Sequence, residues 1–279
     1  YLILLQNNME LRPTGGFIGS YGIITVKDGK IKNIFTDDVY NLDKLSEGKM
    51  MQPAPLPMMV YNKQQYWYMR DANWFASWPD SAKKIVEFFH TERINANLPN
   101  QQIDGVIAIT PDFIANLLEV LGPIEIQGIT FSANNFAMDL EKFVEGGFEE
   151  KNIPFEERKS IIGSLSKILI SRIEKTTTHD FTKLWLAFKK NIDQKNILVY
   201  LFDDQLQKYF SDRNWAGEIR ATDGDYLMVI DSNFASLKTD AVMEKSIKRS
   251  LSINESGDLM ARLEITYKHN GQFVKNLIT

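Results

Sequence analysis

Short runs of apolar residues alternate along this chain with longer segments in which apolar positions recur every three or four residues. The short runs are typical of strands buried in a sheet, and the longer segments indicate helices. Strands are predicted at 1–6, 17–26, 30–36, 103–109, 123–126, 196–202 and 226–231, and helices at 79–89, 111–121, 133–145, 155–174, 180–192 and 204–212. This alternation predicts a layered α/β fold.

Turn and capping residues support several of these boundaries. Asp28-Gly29, between two strand-like runs, is a strong signal for a β-hairpin. Thr110 and Pro111 suit the N-cap and first turn of the helix that follows, and Gly122 suits its C-cap. Three prolines between residues 44 and 60 predict a segment without regular structure.

The chain changes character near residue 240. Residues 246–253 and 259–267 alternate apolar and polar side chains on either side of a turn, which predicts an antiparallel hairpin with one face in water. We therefore expect an α/β domain over 1–240 and the start of a β-rich module over 241–279. Residues 272–279 are also strand-like, and both ends of the sequence suggest a piece of a longer protein.

The composition is that of an ordinary folded protein, with 44% hydrophobic and 24% charged residues. A formal net charge of −4 argues against nucleic acid as a partner, because non-specific binding to nucleic acid needs a basic surface. The chain has no cysteine, which excludes disulfides and thiolate metal sites. No apolar run reaches the roughly 18 residues that a membrane-spanning helix needs.

The loop LRPTGGFIGS at 11–20 is the first candidate for a binding site. It lacks both standard spacings of phosphate-binding glycine loops, and a strand follows it where those motifs need a helix. A nucleotide cofactor is therefore not expected. Arg12 has a side chain suited to bidentate contacts with an oxyanion. The alternative is that the glycines only allow a tight turn between strands.

Two adjacent carboxylates, Asp37 and Asp38, follow the predicted hairpin. Neighbouring residues on a strand point to opposite faces, so we expect only one of them, Asp38, to enter a site. A carboxylate that faces a phosphate needs a cation between them, and Mg²⁺ is the usual one. Asp38 is therefore a candidate metal ligand, and the alternative is a solvated strand end.

The segment YWYMRDANWFASWPDS at 66–81 places polar residues among aromatic ones. In a functional interpretation Arg70 binds an anion, Asp71 orients it or a metal, and Asn73 supplies supporting hydrogen bonds. The aromatic residues would then line a groove for sugar rings or an acyl chain. In the alternative, Arg70 and Asp71 anchor a loop while tryptophans pack in the core. A buried arginine needs a partner in either case.

Several of these motifs together resemble one bacterial family. The run at 4–31, with DVYNLD, RDANWFASWPDSA, DGVIAI and SNFASLKTDA, closely resembles the domain of unknown function 4012. Members of that family look like envelope proteins with membrane-spanning segments before this domain and β-rich sequence after it. The resemblance therefore implies an extracytoplasmic, membrane-anchored location, with the anchor outside this chain.

The order of elements is more distantly similar to the LytR–CpsA–Psr family of cell-wall glycopolymer transferases. That resemblance implies a three-layer α/β/α sandwich with a central mixed sheet. It also implies a polyprenyl pyrophosphate held by arginines and Mg²⁺ with its lipid in an apolar cleft. Such enzymes transfer the glycopolymer to an envelope acceptor, so the implied activity is that of a phosphotransferase.

The residues of that family carry over only in part. Arg12 matches its first-loop arginine, and Arg158 resembles a later arginine that opens a helix. Asp38 matches the last residue of a Pro-Arg-Asp motif, but Thr36 and Asp37 stand where proline and arginine are expected. The change from arginine to aspartate removes a charge-assisted bond worth about 1.5–3 kcal/mol.

The leading hypothesis is an extracytoplasmic envelope domain that binds a polyprenyl-(pyro)phosphate-linked glycan. Whether it also transfers the glycan is left open. Arg12, Arg70 and Arg158 would hold the phosphates, while Asp38 and Asp71 would bind Mg²⁺ or act on the acceptor hydroxyl.

Two alternatives predict different structures. A non-catalytic scaffold would pair its Arg and Asp side chains in a closed site without an apolar cleft. A carbohydrate-binding domain would expose Trp67, Trp74 or Trp78. Convergence of the site residues at the mouth of an apolar tunnel would favour the leading hypothesis.

Overall fold

The computed structural model describes residues 1–235 and 237–271, and it gives a mixed α/β architecture. The described strands are β1 Leu2–Asn7, β2 Phe17–Lys27, β3 Lys30–Asp38, β4 Gly105–Ile109, β5 Ile124–Ile126, β6 Ile129–Phe131, β7 Ile197–Leu201, β8 Met243–Ile253 and β9 Leu259–His269. The α-helices are α1 Val39–Leu45, α2 Leu56–Tyr61, α3 Trp78–Asn95, α4 Pro111–Leu121, α5 Phe136–Lys142, α6 Phe148–Glu150, α7 Ser160–Glu174, α8 Thr178–Asp193 and α9 Asp204–Asp212.

The central sheet has five strands in the order β3-β2-β1-β4-β7 among the residues described. Strand β1 runs parallel to β4, with Leu4 opposite Ala108, and the other neighbours are antiparallel. The sheet is mixed, as expected. The first hairpin places Ser20 opposite Asp38, so the end of β3 lies beside the start of β2.

Apolar side chains cover both faces of this sheet. One face packs against α1 and α3, with Leu2, Leu4, Trp78, Ile85 and Phe89 in the core. The opposite face lies under α4, α7, α8 and α9. Helices α5 and α7 share a further core with the short hairpin of β5 and β6. The prediction of a three-layer α/β/α sandwich with a central mixed sheet is therefore confirmed.

Local signals set several boundaries correctly. Asp28 and Gly29 both have positive φ, at 54° and 69°, which suits a two-residue hairpin turn. Gly122 ends α4 with φ 78°, a conformation that favours glycine. Pro57 is an exception to our prediction of an irregular segment, because it lies in the first turn of α2, where a proline is tolerated.

Two other predictions are wrong. Residues 226–231 form no strand; the side chains of Tyr226 and Met228 are 55% and 44% exposed, so the apolar run is not a buried core segment. Trp67 and Trp78 are 5% and 0% exposed, and therefore neither can offer a surface for sugar rings. Trp74 is partly buried and packs against the ring of Phe234, at 5.9 Å between centroids.

The predicted C-terminal hairpin is present as β8 and β9, with Ile247 opposite Ile265. Nearly all its side chains are exposed on both faces, whereas the sequence pattern predicted water on one face only. The predicted strand at 272–279 lies outside the described residues, and the boundary near 240 stays a prediction. No described helix is both long and apolar enough to cross a membrane.

Candidate functional site

Arg12, in the middle of the loop between β1 and β2, belongs to a buried ionic cluster. Its side chain is only 2% exposed and contacts Glu10 at 3.1 Å and Asp71 at 3.2 Å. It also donates to the carbonyl oxygens of Leu11 and Asn233, at 3.1 and 2.5 Å. We use the name Arg12 cluster for Arg12 and the chain of charged residues that begins at Asp71: Asp71, Arg70, Asp43 and Glu92.

A segment from much later in the chain seals Arg12. The rings of Phe17 and Phe234 lie 5.2 and 5.4 Å from the guanidinium carbon. The backbone N–H of Asn233 donates to the carbonyl of Leu11 at 2.9 Å, which fixes this cover in place. Arg12 therefore lines neither of the two cavities described below.

Asp71 bridges two arginines. Its Oδ1 accepts from Arg12, and its Oδ2 lies 3.4 Å from Arg70 Nε. Arg70 also contacts Asp43 at 2.5 Å and Gln64 at 2.9 Å. A different nitrogen of the Arg70 guanidinium therefore faces each of these three partners. Its planar group lies between the rings of Tyr40 and Tyr68, at 5.3 and 4.8 Å.

The cluster ends in a pair of buried carboxyl groups. Glu92 is 0% exposed, and its Oε1 accepts the backbone N–H of Met69 at 2.7 Å. Burial, and after it the neighbouring Asp43 carboxylate, raise the pKa of Glu92 to about 10. Glu92 is consequently protonated at neutral pH, and its proton can be shared with Asp43, because Asp43 Oδ1 and Glu92 Oε2 are both buried with no other hydrogen-bond partner among the described residues. One proton shared in this way avoids two adjacent buried negative charges.

Asn73 ties the glycine loop to the segment that carries Arg70. Its Nδ2 donates to Thr14 Oγ1 at 3.0 Å and to the carbonyl of Gly16 at 2.8 Å. A Cβ at Gly16 would lie 2.3 Å from the carbonyl oxygen of Asn7, so this close approach of two backbone segments requires glycine. Asn73 supports the loop and lines neither cavity.

A second group of charges, the Asp38 cluster, consists of Asp38, Arg158 and Lys159. Asp38 is 3% exposed, which excludes a solvated strand end. Its carboxylate contacts Arg158 at 3.0 Å and Lys159 at 2.9 Å, and it caps α1 by accepting the backbone N–H of Tyr40 at 3.1 Å.

Lys159 stands at the N-cap of α7, a position where the helix dipole disfavours a cation. Its ammonium donates to Asp38 and to the carbonyl of Gly19, at 2.9 and 2.5 Å. Burial lowers the pKa of Lys159, and the carboxylate of Asp38 opposes that shift. Tyr40 connects the two clusters, because its ring lies 5.8 Å from Lys159 Nζ and 5.3 Å from the Arg70 guanidinium.

Asp37 points away from both clusters, as strand alternation requires. Its Oδ1 accepts the side-chain amide of Asn41 at 2.7 Å and the backbone N–H of Asp38 at 2.8 Å. Burial raises the pKa of Asp37, while these two hydrogen bonds lower it. Asp37 lines neither cavity.

An apolar cavity of about 210 Å³ lies between the central sheet and helices α4, α5 and α7. Leu5, Ile109 and Ile114 line it from β1, β4 and α4. One face of α7 lines the cavity over about 15 Å, measured from the N-cap Lys159 to Leu169. Arg158 and Lys159 lie at the cationic end, and the helix then contributes Ile162, Leu165, Ser166 and Leu169.

A wider cleft of about 680 Å³ adjoins the apolar cavity. Tyr40, Val144, Glu145 and Arg158 line both spaces, so the two meet at the Asp38 cluster. Arg70 lines only the cleft, together with Tyr68 and Phe155 among other residues. The aromatic groove predicted around Arg70 thus retains only Tyr68 from the 66–81 segment.

Lys238 neutralises carboxylates on another wall of the apolar cavity. It lies 2.9 Å from Glu141 and 2.9 Å from Glu145. Burial raises the pKa of Glu141, and Lys238 counteracts that shift. Asn7 also donates to Glu141, at 3.2 Å. This wall is polar but internally paired.

The structure thus separates the predicted site residues into two layers. Arg158 lines both spaces and Arg70 lines the cleft. Asp38 lies behind Arg158, whereas Arg12 and Asp71 lie behind Arg70. Sequence reasoning missed Lys159, Tyr40 and the Asp43–Glu92 pair. The adjacent basic residues at the start of the predicted 155–174 helix were the one available signal for Lys159.

The described residues do not offer a ready site for Mg²⁺. No three His, Asp or Glu side chains within residues 1–235 and 237–271 are grouped to hold a metal. Asp38 already accepts from Tyr40, Arg158 and Lys159. A magnesium ion on Asp38 would lie against two cations, so the predicted metal site does not fit this arrangement.

The fold is that of an α/β sandwich domain, and its apolar cavity has the charged residues of the Asp38 cluster at one end. The profile of the family described as "Protein of unknown function (DUF4012)" matches residues 1–143, which is just over half of the 279 residues. The chain belongs to that family. Comparisons with curated proteins and with solved structures gave no match.

Proposed function

We propose that this domain binds a polyprenyl-(pyro)phosphate-linked glycan on the outer side of the membrane, in a protein anchored there by other segments. In this proposal the apolar cavity takes part of the lipid, the Asp38 cluster binds the phosphate, and the adjoining cleft receives the glycan. The distant similarity to the LytR–CpsA–Psr transferases is part of the proposal.

The observation that carries the proposal is the position of two cations at one end of an apolar cavity. The cavity of about 210 Å³ exceeds the roughly 150 Å³ that holds benzene in a dry protein interior. It is therefore large enough for a segment of a prenyl or acyl chain. Arg158 and Lys159 line the end of the cavity that lies beside the N-terminus of α7. A charged head group would bind at this end.

A buried hydroxyl at the same end supports an incoming polar group. Ser20 is 2% exposed and lines the cavity, and its Oγ has no hydrogen-bond partner among the described residues. Buried polar atoms are normally satisfied. The first turn of α7 adds backbone N–H groups and a positive helix dipole. A phosphate at this point would use the hydroxyl, the cations and the helix end together.

Arg12 takes a different role in this proposal from the one the sequence suggested. It is sealed behind Phe234 and Asn233, so it positions Asp71, which in turn orients Arg70 toward the cleft. Arg70 is held in place by Asp43, Asp71 and Gln64. It therefore presents a fixed charge and a Tyr-flanked face to the glycan side rather than a flexible phosphate ligand.

Transfer of the glycan would require an acceptor hydroxyl in the wider cleft. Its oxygen would form a bond to the sugar-linked phosphorus as the P–O bond to the lipid phosphate breaks, and the hydroxyl proton would pass to a carboxylate that lines the cleft, such as Glu149, rather than to Asp38 behind Arg158. Arg158 and Lys159 would stabilise the charge on the departing lipid phosphate. This phosphotransferase step follows only if binding is established.

A non-catalytic scaffold is the second candidate, and the sealing of Arg12 favours it. The Arg12–Asp71–Arg70 chain is internally paired, as that alternative predicts. The apolar cavity beside the sheet is the feature that the alternative does not predict. Binding of a lipid phosphate distinguishes the two.

A bulky side chain inside the apolar cavity should weaken the affinity for lipid. Ser166→Phe places a ring inside the cavity that Ser166 lines, so we expect it to weaken binding of farnesyl phosphate at least tenfold by isothermal titration calorimetry. The matched control is Ser164→Phe, because Ser164 is exposed on the same helix. Equal affinities for the two variants would contradict a lipid site in this cavity.

Removing the cation shared by both spaces should weaken phosphate binding. Arg158→Gln removes a charge-assisted hydrogen bond worth about 1.5–3 kcal/mol, which corresponds to roughly a 10- to 100-fold weaker Kd. Arg213→Gln, at an exposed position after α9, is the control. Farnesol and inorganic phosphate serve as partial ligands. The proposal fails if farnesol binds as well as farnesyl phosphate, or if Arg158→Gln changes nothing.

A further inference from the structure

Lys159 occupies the place beside Asp38 where the sequence suggested a divalent cation. We infer that Lys159 is a built-in cation for this site, so that a lipid phosphate binds without Mg²⁺. This inference rests on the proposed function and names the group that neutralises the phosphate.

The contacts of Lys159 leave it able to serve a ligand. An ammonium has three N–H donors, and those recorded go to Asp38 Oδ1 and the carbonyl of Gly19. One donor is therefore left at a residue that lines the apolar cavity. The Lys159 side chain is 11% exposed, so the surrounding atoms hold the ammonium in one position, unlike that of a lysine on the surface.

The same contacts work against a metal on Asp38. Mg²⁺ binds carboxylate oxygens at about 2.0–2.1 Å and prefers six ligands in octahedral geometry. Here Asp38 Oδ1 accepts from Lys159 and from the backbone of Tyr40, while Oδ2 accepts from Arg158. A divalent ion would have to displace at least one of these cations and would then face the other.

The position of Lys159 in the helix also needs an explanation. A lysine at a helix N-terminus is opposed by the helix dipole, and burial of its charge is unfavourable. Asp38 offsets part of this cost, but Asp38 is shared with Arg158. An anion bound at the same helix end would be attracted by Lys159, by Arg158 and by the dipole at once. That combination suits a phosphate.

The first test compares wild-type affinity for farnesyl phosphate in buffer with EDTA and in buffer with Mg²⁺. We expect the two Kd values to agree within about twofold. A Kd that is tenfold or more weaker in EDTA would overturn the inference while leaving the proposed function standing. Absence of binding in both buffers would overturn the proposed function, and this inference with it.

The second test substitutes Asp38 and Lys159 separately. Asp38→Asn keeps an N-cap side chain for α1 and releases Lys159 and Arg158, so we expect tighter binding by about three- to tenfold. A metal held by Asp38 would give the opposite result, a large loss. Lys159→Gln should weaken binding at least tenfold in EDTA, whereas Lys167→Gln, exposed on the same helix, should not.

If Lys159→Gln fails to fold, a second variant tests the contribution of Lys159 to binding. The double variant Asp38→Asn with Lys159→Gln removes the ammonium and the carboxylate together and leaves Arg158 as the one cation of the Asp38 cluster, so it carries one uncompensated charge fewer than Asp38→Asn alone. It is expected to bind more weakly than Asp38→Asn alone, by at least tenfold. Equal binding by these two variants would show that Lys159 does not contribute to the site.

Discussion

Asp71→Ala is expected to lower the free energy of unfolding by about 3–5 kcal/mol, because it removes one partner of a buried salt bridge. Asp71 is the only carboxylate that contacts both Arg12 and Arg70 in the described part of the chain. Without it, Arg12 would keep Glu10 and two carbonyl groups as acceptors. Arg12 and Arg70 would each lose one of their two carboxylate partners, while both stay largely buried.

Urea unfolding followed by circular dichroism measures this change. Since small domains are stable by only about 5–15 kcal/mol, the variant should show a much lower midpoint or fail to fold. Asp212→Ala is the matched control, because Asp212 forms an exposed pair with Lys208 on α9, and such pairs contribute roughly 0.3–0.5 kcal/mol. Losses of similar size in both variants would refute a central role for the Arg12 cluster.

The parts of the fold that the sequence predicted are those with local signals. The hairpin at Asp28-Gly29, the helix that begins near Pro79 and the helix between Thr110 and Gly122 each have a turn or cap residue at their ends. The run at 226–231 has strand composition but no pairing partner within residues 1–235 and 237–271, and strand formation depends on such a partner. Composition alone could not reveal that.

The candidate site depended more strongly on contacts between distant parts of the chain. Arg12 and Asp38 were identified from their loops, but the sealing of Arg12 comes from Asn233, 221 residues later. No local pattern indicates such a contact. Likewise, the hydrogen bond between Asp43 and Glu92 joins α1 to α3. Nothing in the sequence of either helix predicts that one carboxyl group stays protonated.

Asp37 stands where the similarity to the glycopolymer transferases implies an arginine, so the sequence suggested a loss of positive charge at the site. In the structure, Lys159 and Arg158 determine the charge there instead. Asp37 binds Asn41 and the backbone, whereas positive charge next to Asp38 comes from Lys159 and Arg158. The charge reversal on β3 therefore does not leave the cavity entrance without cations.

Glu92→Gln is expected to remove a pH dependence of stability that the wild-type protein should show. Burial raises the pKa of Glu92 from 4.5 in an ordinary setting to about 10 in the folded protein. The folded state therefore holds a proton that the unfolded state has already lost above about pH 4.5. The stabilisation is fully present below that pH and is lost progressively as pH rises toward about 10.

Thermal or urea unfolding between pH 6 and pH 9 measures the slope. The wild type should lose up to about 1.4 kcal/mol per pH unit from this one proton. Glutamine keeps a donor for Asp43 without any ionisation, so the slope should fall and the variant should be the more stable protein at pH 9. Glu87→Gln, at an exposed position of the same helix, should retain the wild-type slope. A wild-type protein equally stable at pH 6 and pH 9 would mean that Glu92 is ionised, and Arg70, which already contacts Asp43 and Asp71, would then have a third carboxylate to balance.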